Sequence, residues 1–340
     1  MTPVLSQAPA SVRRAAYAAL GVSLLHIVFG AIVRISGSGM GCGDHWPKCY
    51  GYWFPPLERM DLIIEVFHRY LASLLLVTVG ATVFLAWRNK QAPRVSGRGG
   101  VLRSSGLMLA VGFFAAAFGA VTVNFSNAWW ATVIHKAIAV TVLALGAATV
   151  VRAGGLGAAS VSAGHGTPKA IGGATAAAVM ALLVVLLGGL TAKVTGAPVA
   201  CVGFPLCGEG SLGGGPQHLQ LTHRLVAYLL VAHLISLPFL FRRRGEPMAV
   251  QTAAWIGMVF GVLQVCWAAW MVIGGIAGPD KYAPRSLHQA TGILIWVTAF
   301  VMTYLARIAA GRSTVGAQQV SGVPGTTGGA MTARAVPSAS

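Results

Sequence analysis

Long apolar runs with almost no charge recur along the chain, and no other feature constrains its fold as much. They lie near residues 15–35, 62–87, 104–125, 129–151, 169–191, 218–241, 250–275 and 287–308. Each holds about 20 residues or slightly more, enough to cross roughly 30 Å of hydrocarbon at about 1.5 Å per residue. Charged residues make up 9% of the 340, where a soluble domain carries about 25%. With 56% of residues apolar, a soluble core of this size could not hide the apolar surface. An ordinary soluble enzyme and a disordered basic chain are both excluded. The predicted fold is an all-α membrane protein of eight transmembrane helices.

The positive charges then orient the spans. The net charge of +17 comes from 24 Lys and Arg against 7 Asp and Glu. Fifteen of the 24, including Arg13, Arg14, Arg88, Arg152 and Arg242–Arg244, fall in segments on the side of the N-terminus. Six, among them Arg34, Lys48 and Lys193, fall at the other side, and Arg69, Lys136 and Arg224 lie inside the runs. The positive-inside rule makes both termini cytoplasmic. The charge is therefore a topology signal and not a nucleic-acid footprint. Arg13 and Arg14 before the first run resemble a signal peptide, but the run is long and lacks a small-residue cleavage motif, so it reads as a retained anchor. The tail 311–340, rich in Gly, Ser, Thr and Ala, reads as disordered.

The two halves of the chain resemble each other. GAIVRISGSGMGC (30–42) parallels GLTAKVTGAPVAC (189–201), pairing Gly30 with Gly189, Arg34 with Lys193 and Gly37 with Gly196. A second cysteine follows in each loop, and EVFHR (65–69) then parallels LQLTHR (219–224). This implies two repeated four-helix bundles of the same orientation, since four spans per unit is an even number. The expected units are 1–151, a cytoplasmic linker 152–168, and 169–310.

Nine histidines occur, and four have repeat partners: His68 with His223, and His135 with His288. All four fall within about two turns of the outer end of their spans. Ionisable groups inside a membrane are costly and tend to be functional. Two histidines from facing helices at one depth can hold a haem iron from both sides. One such site per half is expected, His68 with His135 and His223 with His288. His26 and His233 have no histidine counterpart and read as packing residues. Arg69 and Arg224, each following a candidate ligand, either snorkel to the interface or pair with a haem propionate.

One acid stands beside a histidine. Glu65 lies three residues before His68, on the same helix face, and its counterpart is Gln220. A carboxyl in a low-dielectric site can shuttle a proton, and an amide cannot. The expectation is that the first half does chemistry and the second holds a static cofactor. The competing view is that Glu65 pairs with Arg69 one turn on. Cys42 and Cys49, and Cys201 and Cys207, lie in loops on the outer, oxidising side, where disulfides persist. They read as loop staples or as redox-active pairs. Cys266 reads as packing in the seventh span.

The run VRISGSGMGCGDHWPKCYG (33–51), followed by EVFHR and the second HR, resembles the haem A synthase family. Gly39, Gly41, Cys42, Asp44, Trp46, Pro47 and Cys49 carry the loop motif, and the resemblance spans about residues 15–310. One departure is Gly43 with His45 around Asp44, where the family more often has Cys-Pro-Asp-Trp. The resemblance implies oxidation of a methyl group of haem O to the formyl group of haem A, for terminal oxidase biogenesis. It implies Glu65 as the catalytic carboxylate, haem O at His68 and His135, and haem b at His223 and His288. It also implies a plasma membrane location and a pathway shared with haem O synthase and terminal oxidase assembly factors. The electron donor is not legible, and a homo-oligomer is left open. Two other functions fit the histidines alone: a diheme cytochrome b that transfers electrons, and a haem transporter or chaperone.

Overall fold

The computed structural model describes residues 7–45, 47–211, 213–274 and 282–313. Trp46 of the loop motif, Lys281 and the tail beyond 313 lie outside the described residues. Among the described residues, eight helices are long and apolar enough to cross a membrane. They are α1 (Ala10–Ile35), α2 (Met60–Arg88), α3 (Val101–Asn124), α4 (Trp129–Arg152), α5 (Pro168–Lys193), α6 (Gly215–Arg243), α7 (Met248–Ile273) and α8 (Tyr282–Ala309). Within the same residues there is no strand, only an isolated bridge between Cys49 and Tyr52. The chain is an all-α, multi-pass membrane protein. Hydrocarbon offers no water to unpaired amides, so each span must satisfy its own backbone.

Every expected run is a helix, and most helices outlast their run. The reason is local. Helix α5 starts at Pro168, whose missing N–H costs nothing in a first turn, and Thr167 Oγ1 accepts from Ala170 N–H at 3.2 Å. Helix α8 starts five residues before its expected edge, with Pro284 in its first turn. These extensions move two outer-side charges. Lys193 and Arg285, beyond the ends of their expected runs, belong to the last turn of α5 and the first turn of α8.

Helix α1 packs on α2 and α4, and α3 packs on α2 and α4. In the same manner α5 packs on α6 and α8, and α7 packs on α6 and α8. Contacts of α1 with α8, and of α4 with α5 and α8, join the two sets. The burial pattern follows: half of the apolar window of α8 is buried, but only 11% of that of α7. Phe113 and Phe114 on α3 and Val259 on α7 are exposed toward the space lipid would fill. Cys266, expected to pack, is likewise an exposed free thiol on α7. The largest core joins α4, α5, α6 and α8 through Leu143, Ala147, Ala174, Ala177, Ala181, Leu234 and Met302. Alanines at i, i+3 and i+4 on α5 let backbones approach, as van der Waals packing between membrane helices requires.

The segment between α4 and α5, read as a linker, is itself packed, with Ala153, Ala158 and Val161 fully buried. Glu246 in the α6–α7 turn is 2% exposed. Its carboxylate accepts from Thr167 O–H at 2.6 Å and from Thr167 N–H at 3.3 Å. This ties the start of α5 to the end of α6. Glu246→Ala leaves two part-buried donors of Thr167 without this acceptor and is expected to cost about 1 kcal/mol. Thermal unfolding in detergent, followed by circular dichroism, would read this as a lowered midpoint. Thr167→Ala should add little on top, because both changes remove one interaction.

Candidate functional site

The candidate histidines recur at matching depths. His68 and His223 are each the ninth residue of their helices, α2 and α6. His135 and His288 are each the seventh of α4 and α8. All four lie toward the end of the molecule that carries the cysteine loops. Each of the two on α2 and α6 has a glycine against its ring. A Cβ at Gly30 would lie 3.1 Å from His68 Cε1, and one at Gly188 would lie 3.0 Å from His223 Cε1. The glycine facing His223 is thus Gly188 and not Gly189. The residue pairing read from the sequence slips by one within this helix, because α1 and α5 correspond at the same length and one extra residue follows α5 before the loop.

The second set of helices brings its pair together. The rings of His223 and His288 have centroids 6.5 Å apart and planes at 73°. They line a cavity of about 190 Å³ between α5, α6, α7 and α8. Two imidazoles facing one cavity from different helices could hold one metal ion between them. Gln264 of α7 reaches His288, with Nε2 to Nε2 at 3.3 Å.

The first set differs. The ring beside His68 belongs to His26 of α1, stacked at 4.3 Å and 23°. His135 is near enough to both to interact with them electrostatically, and its ring lies against Gly119 of α3. His26, read from the sequence as packing, is therefore a member of this cluster. His233, the other such histidine, contacts Gly173 O through Nε2 at 2.9 Å.

Burying an imidazole nitrogen without a partner is costly. Nδ1 of His68 and His135, and Nε2 of His26, are buried with no hydrogen-bond partner among the described residues, while His223 lies against the backbone of Val184 and His288 against that of Gln264. The donor set, its cavity and these orphaned nitrogens fit a ring-ligated, largely apolar group such as haem.

Glu65 and Gln220 occupy equivalent places and are 5% and 6% exposed. Glu65 Oε2 accepts from Cys42 N–H at 2.9 Å, and Gln220 Oε1 accepts from Cys201 N–H at 2.7 Å. Each side chain therefore caps the first cysteine of its loop. Glu65 Oε1 also accepts from Arg69 Nη2 at 2.6 Å, the pairing left open as an alternative. Both arginines clamp loop backbone. Arg69 donates to His45 O at 2.8 Å and Pro47 O at 3.2 Å. Arg224 donates to Gly203 O at 2.8 Å, and to Pro205 O and Cys201 O at 3.3 Å. This is a third role, beside the snorkelling and propionate pairing expected of them. Arg224 also lines the cavity.

Cys42 is bonded to Cys49 and Cys201 to Cys207, with Cα separations of 4.9 and 4.6 Å. Cys42, Cys49 and Cys201 are buried. Gly37 and Gly196 begin the two loops in the left-handed region, at φ 76° and 79°, which a Cβ would disfavour.

Residues 13–300 match the family model described as cytochrome oxidase assembly protein. The chain belongs to this family. Among its relatives, a haem A synthase of an Exiguobacterium species is 27% identical over 293 residues, covering 85% of this chain and 90% of that protein. A haem A synthase of Alkalihalophilus pseudofirmus is 28% identical over 219 residues, covering 63% and 71%. A protoheme IX farnesyltransferase of Thermus thermophilus is 42% identical over 83 residues, covering 24% of this chain and 14% of that protein.

Sequence reasoning missed His26 as a member of the first cluster, and Arg34, Lys136 and Gln264 as wall residues of the cavity. For Lys136 and Gln264 a signal existed, since each is a polar interruption of an apolar run. The clamp makes its own prediction. Arg224→Leu removes three donors from the second loop, and hydrogen exchange of amides 201–207 should rise at least tenfold, about 1.4 kcal/mol. Amides of α6 beyond its first turns should keep wild-type protection.

Proposed function

We propose that this chain is a haem A synthase, oxidising a methyl group of haem O to the formyl group of haem A in successive steps. The observation that carries this reading is the facing pair His223 and His288 lining one cavity, in a member of a family with haem A synthase relatives.

The division of labour follows from the one chemical difference between equivalent positions. His223 and His288 hold haem b in the C-terminal unit, residues 169–310. His68 and His135 address haem O in the N-terminal unit, residues 1–151, with His26 stacked behind His68. Haem b supplies one-electron redox chemistry when bound. The protein positions it, excludes water and manages protons. Glu65 can take up and release a proton beside the substrate ring, and Gln220 cannot. Arg69 holds that carboxylate on the side facing the loop, and the disulfide loops lid the two sites. Cysteines buried as these are favour staples over labile redox pairs.

The cysteine loops face the outside of the cell membrane and both termini face the cytoplasm, by the distribution of Lys and Arg. Haem O synthase is the expected supplier of substrate, and a terminal oxidase the destination of the product. A transmembrane electron wire would place its haems at both ends of the bundle, whereas all four histidines lie at one.

The test is to purify the protein from cells that make haem O and to extract its haem. Haem A together with haem b is expected; haem b alone, with haem O available, would overturn the reading. Glu65→Gln isolates the proton chemistry, because Gln220 shows that an amide caps the equivalent cysteine. Haem A formation should fall by about 10²–10⁴-fold with haem binding preserved. Wild-type formation by that variant would remove Glu65 from the chemistry. Gly188→Val should displace the His223 ring and lower the haem b content, read from the absorption spectrum.

A further inference from the structure

Positive charge crosses the boundary between the two sets of helices. Arg34 ends α1 and Lys136 lies in the second turn of α4, so both belong to the N-terminal set. Both nevertheless line the cavity that holds His223 and His288, together with Arg285 from the first turn of α8. Lys136 follows His135 as Gln289 follows His288, and these two equivalent residues meet. Nζ of Lys136 lies 3.4 Å from Gln289 Oε1, a long contact with a neutral group. Back to back on α4, His135 belongs to one site and Lys136 to the other.

This cluster is electrostatically unbalanced. Arg34 is near enough to Arg285 and to Lys136 for each pair to repel. Among the described residues, the ion pairs involve Asp44, Asp61 and Glu65, none of which joins Arg34, Lys136 or Arg285. The equivalent of the first set's carboxylate is the neutral Gln220, and it too lines this cavity. Like charges at the edge of a low-dielectric cavity are unfavourable unless an anion joins them. Arg224 is already engaged by loop carbonyls, so among the described residues the positive charge without an acidic partner is that of the other three.

We propose that Arg34, Lys136 and Arg285 form a carboxylate-binding subsite for the anionic edge of the haem held by His223 and His288. The N-terminal helices α1 and α4 thereby supply two of the three charges that anchor the C-terminal cofactor. This rests on the haem b assignment above. It also means that the cofactor bridges the two sets, adding a link to the direct packing of the helix that carries His135 on α8.

The test uses the full-length protein purified with its haem. An Arg34→Gln/Lys136→Gln double variant should release haem to an excess of a haem-scavenging apoprotein at least tenfold faster than wild type. The haem it retains should show a lower midpoint potential, since nearby positive charge favours the reduced state. Lys136→Arg should restore both properties toward wild type, which a purely packing role of this lysine would not predict. Unchanged release rate and potential in the double variant, with haem lost in His223→Ala, would overturn the subsite alone. Full haem retention in His223→Ala would overturn the haem b assignment and the subsite with it.

Discussion

A hydrocarbon layer offers no water to a stray amide, imidazole or charge, and this protein's architecture follows from that shortage. Helices are its answer for the backbone. For side chains the answers are more varied. Glu246 is met by the start of α5, and Glu65 and Gln220 each meet the amide of a loop cysteine. Arg69 and Arg224 spend their donors on loop carbonyls. The ring nitrogens left over, on His26, His68 and His135, stand out against this accounting.

The two sets of helices use one plan with different chemistry. Glycine makes room for the first histidine, a left-handed glycine starts the loop, a disulfide closes it, and an arginine clamps it down. On that shared frame three substitutions separate the halves. An acid stands where the other half has an amide, His26 stands over His68, and Lys136 stands where the other half has Gln289. The first two place ionisable groups at the N-terminal site, and the third exports charge to the C-terminal cavity.

Much was legible because membrane insertion writes directly into sequence. Length and apolarity set the eight spans. The site was partly legible because His68, His135, His223 and His288 are rare polar groups in apolar runs, with spacings that repeat. The pairing of Gly30 with Gly189 went wrong by one position for a physical reason. The extra residue sits in the turn after α5, where the sequence has no marker for it, and an alignment through the loop carries the shift back into the helix.

The sequence by itself determined the element count, the four histidines, the lone carboxylate beside one of them and the two cysteine pairs. Only the tertiary structure decided that His26 stacks on His68, that Arg34 and Lys136 face the neighbouring cavity, and that the two arginines hold loops. In a soluble helix a polar face and an apolar face tell which side is inward. In these helices both the lipid-facing and the core-facing sides are apolar, so the helical period carries little contrast. The rotation of α1 and α4, and hence which site each polar side chain serves, is set by small-residue packing between helices.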